Sequence, residues 1–119
     1  MIQATEIKLH QGSRQLEVAF ETGERFTLSC EFLRVHSPSA EVQGHHPSQR
    51  VLQLDKQNVN IAAIHPVGLY AVVLEFDDGH STGIYSWQTL YRYGKEQTAM
   101  WREYLDALAA HGRSSDAAR

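Results

Sequence analysis

The sequence predicts an α+β fold, a small antiparallel β-sheet of two hairpin-plus-short-helix units followed by a C-terminal α-helix. Three observations carry that expectation. Apolar residues alternate at period two beside two acidic-glycine corners, Glu21-Thr22-Gly23 and Asp77-Asp78-Gly79, where glycine accepts the positive φ that a tight reversal needs. Each returning strand runs into a serine followed by an apolar stretch of helical spacing. Beyond Gly94, apolar residues recur at intervals of three and four, as in a helix with one buried face.

The elements follow in order. Ala4 to His10 alternates Ile7 and Leu9 with Lys8 and His10, a half-buried strand, and Gln11-Gly12-Ser13 turns it. Leu16, Val18 and Phe20 form a second strand, and Phe26 with Leu28 a third, giving a meander. Ser29 caps a helix that carries Cys30, Phe32, Leu33 and Val35, and Pro38 keeps it brief. From His36 to Gln49 the chain is polar and interrupted by Pro38, Gly44 and Pro47, so the segment reads as a long loop whose far end Val51, Leu52 and Leu54 pin. Asp55-Lys56-Gln57-Asn58 turns into a strand at Val59, Ile61 and Ala63, and His65-Pro66-Val67-Gly68 reverses the chain. The longest strand pattern holds Val72, Leu74 and Phe76 and returns through Thr82, Ile84 and Tyr85. Ser86 caps a short helix with Trp87, Leu90 and Tyr91 on one side. A separate helix after Gly94 carries Met100, Trp101, Tyr104, Leu105 and Leu108 and stops at His111-Gly112. Residues 1–112 read as one domain and 113–119 as a disordered tail.

An internal echo links the two hairpins. Phe20, Gly23, Ser29 and Leu33 recur as Phe76, Gly79, Ser86 and Leu90, with one extra residue before the second serine that Gly83 would hold as a bulge. Matches this short also arise by chance between unrelated hairpins.

Composition bounds the function. A chain of 119 residues suits one domain, and 42% apolar with 21% charged residues suits a folded one. A formal charge of -3 and a pI near 6.1 offer no basic face for nucleic acid. No leader or membrane-length apolar run is present, so no membrane is expected and the cytoplasm is the default location. Cys30, the single cysteine, leaves no internal disulfide and no cysteine zinc cage.

Leu33-Arg34-Val35-His36-Ser37-Pro38-Ser39-Ala40-Glu41-Val42, Phe76-Asp77-Asp78-Gly79-His80 and Gly83-Ile84-Tyr85-Ser86-Trp87 together resemble the gamma-butyrobetaine hydroxylase-like N-terminal domain family. That family also occurs as stand-alone bacterial proteins of unknown function, and the likeness spans roughly residues 4 to 93. The resemblance implies an accessory domain attached, in the hydroxylases, to a separate iron and 2-oxoglutarate domain for which this chain has no room. In zinc-binding members three cysteines occupy the positions of Ser37, Ser39 and Val42, with a histidine at His80. Three of the four ligands are replaced, so the resemblance implies a lost zinc site, the serines instead bonding nearby backbone groups. Some relatives are associated with iron-sulfur cluster carriers, which implies a possible accessory role in cluster assembly.

Three functional readings follow. A metal site could use His80 with the loop histidines His36, His45 and His46, although adjacent His45 and His46 share one small coordination sphere poorly. An enzyme could use His80 beside Asp77 or Asp78 as a base and Ser37 or Ser81 as nucleophile, but acids beside a turn glycine are more often turn formers. The favoured reading is a non-catalytic accessory or protein-interaction domain without a cofactor. Its candidate surface is Arg34, Ser37, Ser39, Glu41, His80, Tyr85 and Trp87, and its partner is an unidentified protein. Tyr91, Tyr93 and Arg92 add aromatic and cationic surface that a short helix cannot hide.

Overall fold

Residues 1–112 are described by the structure, a computed structural model, and the tail expected over 113–119 lies outside the described residues. Strands β1 (Ala4–His10), β2 (Gln15–Phe20) and β3 (Arg25–Ser29) form one antiparallel sheet. Strands β4 (Ile61–Val67), β5 (Ala71–Phe76) and β6 (Ile84–Ser86) form a second, so the strands divide between two three-stranded sheets. The sheets share one core. Leu16, Val18, Phe20 and Leu28 meet Ile61, Val72, Leu74, Phe76 and Tyr85 inside it, joined by Leu33 and Leu90 from the helices. Burying these side chains is the main drive for folding, at roughly 1.5–3 kcal/mol for each large one.

Each sheet delivers a helix through a serine cap. Ser29 Oγ accepts the Phe32 amide at 3.0 Å to start α1 (Cys30–Val35), and Ser86 Oγ accepts the Thr89 amide at 3.0 Å to start α3 (Trp87–Ala110). These bonds satisfy amides that a helix start otherwise leaves unpaired.

Three expectations change. The break at Gly94 does not occur, and α3 is one helix of 24 residues. Gly94 is a contact instead: a Cβ there would lie 2.3 Å from the Phe26 ring, so its absence lets the helix lie against β3. The reversal expected at His65–Gly68 lies at residues 68–70, because β4 continues to Val67. Pro66 is tolerated because β4 is an edge strand, where a missing amide donor costs nothing in the sheet. The segment after His36 is not structureless. Ser39 Oγ accepts the Glu41 amide and caps α2 (Ala40–Gln43), a 3-10 turn covers 47–49, and Leu52 and Leu54 pack on Val35, Tyr104 and Leu108. Val51, by contrast, is exposed.

Candidate functional site

The turn after β5 and the segment after α1 meet in a closed hydrogen-bonded cluster. Ser37 has no exposed surface, Ser39 and His80 are 6% and 7% exposed, and the Glu41 side chain covers them from outside. His80 Nδ1 lies 3.1 Å from Glu41 Oε1, and its Nε2 lies 2.8 Å from Ser37 Oγ. A carboxylate can only accept, so Nδ1 carries the ring proton and Nε2 accepts the Ser37 hydroxyl. Ser37 Oγ in turn accepts the Ser39 amide at 3.3 Å. On the other side Ser39 Oγ donates to Thr82 Oγ1 at 2.6 Å, and Thr82 donates to Glu41 Oε1 at 2.9 Å. The bonds therefore run in a ring from the Ser39 amide round to the Ser39 hydroxyl, satisfying the groups that burial would otherwise penalise.

Charges beneath the ring hold the turn. Arg34, 7% exposed, donates to Asp78 Oδ2 at 2.8 Å, Lys56 donates to the same oxygen at 2.7 Å, and Asp78 Oδ1 accepts the His80 amide. Burial pushes the Asp78 carboxyl up, but the bonds from Lys56, His80 and Arg34 outweigh it and bring it down to about 2. His80 is held below the usual histidine range, first by burial and then by the Arg34 charge, against the upward pull of Glu41 and Asp78. Tyr85 crosses the core to donate to the Leu33 carbonyl at 2.5 Å, and burial raises its phenol.

The sequence-derived site residues thus divide. Arg34, Ser37, Ser39, His80 and Tyr85 are inside, Glu41 is at the surface, and Trp87 is half-buried with its indole N–H on the Leu69 carbonyl at 2.8 Å. The aromatic surplus expected at the surface is largely internal, since Tyr85 and Tyr93 are buried. The four histidines weighed for a metal do not converge, and His46, like His45, is exposed. His36 donates from Nδ1 to the Phe32 carbonyl and packs on Phe32, Tyr93 and Tyr104, His45 is exposed, and His80 packs on Phe76. Among the described residues no group of three or more His, Cys, Asp or Glu side chains is placed to hold a metal ion.

Ser37, His80 and Glu41 do have the order of a serine–histidine–acid relay, with Glu41 in the place expected for Asp77 or Asp78. Ser81 is exposed and stands outside that order. What the relay lacks is access. Ser37 is sealed against Gly83, where a Cβ would lie 2.4 Å from the serine oxygen. Cavities of about 460 and 560 Å³ open elsewhere, against the 35–53 segment and against β3, in both cases beside α3. Sequence reasoning missed Glu41 and Thr82 as members of this ring. Their only sequence signal was a cap-like Ser-Ala-Glu, which does not reveal a contact across 41 residues.

Residues 7–91 match the family described as gamma-butyrobetaine hydroxylase-like, N-terminal. Two solution NMR structures are similar throughout. One is 54% identical with a TM-score of 0.82, covering 96% of this chain and 85% of that one. The other is 44% identical with a TM-score of 0.83, covering 98% and 91%. A crystal structure of a protein with unknown function from Acidithiobacillus ferrooxidans, in the DUF971 family, is 38% identical over 76% of this chain and 90% of that one, with a TM-score of 0.64. Comparison with curated proteins gives no match.

Proposed function

The chain belongs to the gamma-butyrobetaine hydroxylase-like N-terminal family, and from that premise we propose that it is a non-catalytic protein-interaction module. The observation that carries this reading is where the side chains are spent. Those with reactive or ligating chemistry, Ser37 and His80, are buried and bonded to one another. Large apolar side chains stand exposed on the second sheet: Leu69, 88% exposed, and Tyr70, 54%, in the β4–β5 turn beside the half-buried Trp87, and Ile84, 52%, at the start of β6. Exposed aliphatic and aromatic groups grouped in this way suit a protein partner with a complementary apolar surface.

The same reading treats the family's zinc position as converted to a structural clasp. The donor set does not fit zinc, which binds thiolate and imidazole: positions 37 and 39 offer neutral hydroxyls and Val42 none. In place of a metal bond, His80 Nε2 accepts a hydrogen bond from the Ser37 hydroxyl. No helix among the described residues is long and apolar enough to cross a membrane, and the acidic balance of the chain favours a protein over a nucleic acid.

Affinity capture from lysate tests the proposal when wild type is compared with Leu69→Asp, Ile84→Asp and, in the first hairpin turn, Thr22→Ala. Partners retained by Thr22→Ala and lost from the other two support it. Partners bound equally by all four proteins place the interface elsewhere, and release of product from an acyl substrate by wild type but not by Ser37→Ala makes the protein an enzyme.

A further inference from the structure

The echo between the hairpins extends through the whole backbone. Shifting β1 by 57 residues (Ala4 to Ile61) and β2 by 56 (Phe20 to Phe76) turns every β1–β2 pairing into a β4–β5 pairing. The irregularity between Ala4 and Glu6 recurs between Ile61 and Ala63. Gln15–Ser29, Leu16–Leu28 and Glu17–Thr27 recur as Ala71–Ser86, Val72–Tyr85 and Val73–Ile84. The bonds outside the ladders follow. The Phe20 amide reaches the Glu24 carbonyl and the Phe76 amide the His80 carbonyl, both at 2.9 Å. Glu21 to Gln3 and Asp77 to Asn60 measure 3.0 and 2.9 Å, while Cys30 to Arg14 and Trp87 to Tyr70 both measure 2.9 Å. Gly23 and Gly79 have φ of 91° and 93°. Two hairpins that merely share a turn type would agree at the turn; they have no reason to agree at a bulge, a helix entry and a cap as well. The extra residue falls between His80 and Ile84, where the shift returns to 57.

The contacts between the halves obey the same correspondence. Gly94 of α3 lies against Phe26 of the first half; the counterparts of these two positions, Ser37 and Gly83, lie against each other, the first now following α1. His36 and Tyr93 are counterparts of one another, and they touch: the Tyr93 hydroxyl donates to the His36 carbonyl at 2.6 Å and the rings lie 6.1 Å apart. Counterparts in mutual contact mark an axis of symmetry.

We infer that this domain is an intramolecular dimer of one β-β-β-α unit, its halves related by an approximate twofold axis between His36 and Tyr93. Each half's second turn is clasped by the helix, or helix end, of the other. The Ser37–His80 cluster is then one of two equivalent clasps. The other is Phe26 on Gly94, with Glu24, the counterpart of His80, accepting bonds from Tyr91 at 2.5 Å and Lys95 at 2.9 Å. One clasp is polar with a small residue on each side, and the other sets a large ring on a glycine.

Exchanging the clasps tests this. Gly83→Phe alone places a ring on Ser37 and should abolish the cooperative thermal transition; Gly83→Phe with Ser37→Gly rebuilds the Phe26–Gly94 pair in the second half and should restore it. Restoration supports the inference, and a double variant no more stable than Gly83→Phe overturns it. The reverse exchange, Glu24→His with Phe26→Gly and Gly94→Ser, gives an independent readout that does not depend on stability. The introduced imidazole should titrate below the ordinary range with a hydroxyl-bonded ring nitrogen, whereas free titration in solvent contradicts the equivalence. A circular permutant beginning at Asn58, with the original ends joined by a flexible Gly-Ser bridge, gives a third readout. Two equivalent halves keep one cooperative transition when the break moves from one connection to the other, and its loss overturns the inference.

Discussion

Removing either member of the Ser37–His80 pair should destabilise the fold, and removing both should cost much less than the two losses together. Ser37→Ala deletes the proton that His80 Nε2 accepts at 2.8 Å in a site with no solvent access. A buried acceptor left unpaired costs about 1–3 kcal/mol. His80→Ala deletes bonds to Ser37 and Glu41 and the contact with the Phe76 ring, whose centroid is 6.1 Å away; such a change in a buried network costs about 2–4 kcal/mol. Once the imidazole is gone Ser37 has no acceptor to satisfy, so the pair should couple by about 1–2 kcal/mol. Urea unfolding of the four proteins, followed by the fluorescence of Trp87 and Trp101, gives the coupling from midpoints and slopes. Additivity within about 0.5 kcal/mol would show that the two side chains act independently and would refute the closed ring.

Other consequences are equally open to measurement. Gly94→Ala, which in an exposed helix would stabilise by about 1 kcal/mol, should instead destabilise by about 1–3 kcal/mol, because the new Cβ meets the Phe26 ring at 2.3 Å; a raised melting temperature contradicts the packing. Tyr85→Phe removes the donor to the Leu33 carbonyl and should cost about 1–2 kcal/mol, with an unchanged urea midpoint as the contrary result. The Asp78 carboxyl sits at about 2, below its ordinary 3.8, so the native state holds fewer protons than the unfolded chain between those values. Its contribution is complete above about pH 4 and is lost as the pH falls toward 2, and Asp78→Asn should flatten that limb of an acid-unfolding curve. His80 and His36 are also held below their ordinary 6.5 by burial. Stability is therefore full above that value and declines as the medium becomes more acidic, and His80→Gln should reduce the decline.

The intramolecular symmetry bears on where a partner would bind. The outer face of the first sheet carries Glu6, Lys8, His10, Glu17 and Arg25, joined by ion pairs. At the places of Glu17 and Thr27 in the second sheet stand Val73 and Ile84. The same backbone accepts polar side chains there, so folding does not demand the apolar ones. Each exposed ion pair on the first face adds little stability, roughly 0–1 kcal/mol, but together they keep that face in water.

Local signals are legible in the sequence because the groups that make them are close along the chain. Ser29 and Ser86 cap the helices they precede, and Gly23 and Gly79 turn the strands beside them with positive φ. What was not legible depends on contacts between distant residues. Gly94 reads as a helix break until Phe26 is seen to need the room. Arg34 reads as a surface cation, yet its partner Asp78 is 44 residues away. His80 finds its carboxylate at Glu41 and not at the neighbouring acids, because Asp78 is committed to Arg34, Lys56 and the turn amide, and Asp77 to the Asn60 amide. A period of two likewise cannot say whether six strands make one sheet or two.

A long-range proton–nitrogen NMR spectrum of the His80 ring, recorded before and after one equivalent of zinc, addresses the sealed clasp most directly. The expected result is a neutral ring with its proton on Nδ1, Nε2 accepting from Ser37, and no change when zinc is added. Movement of the Nε2 resonance with zinc, lost in His36→Ala or His45→Ala, would contradict it and make the cluster a metal site.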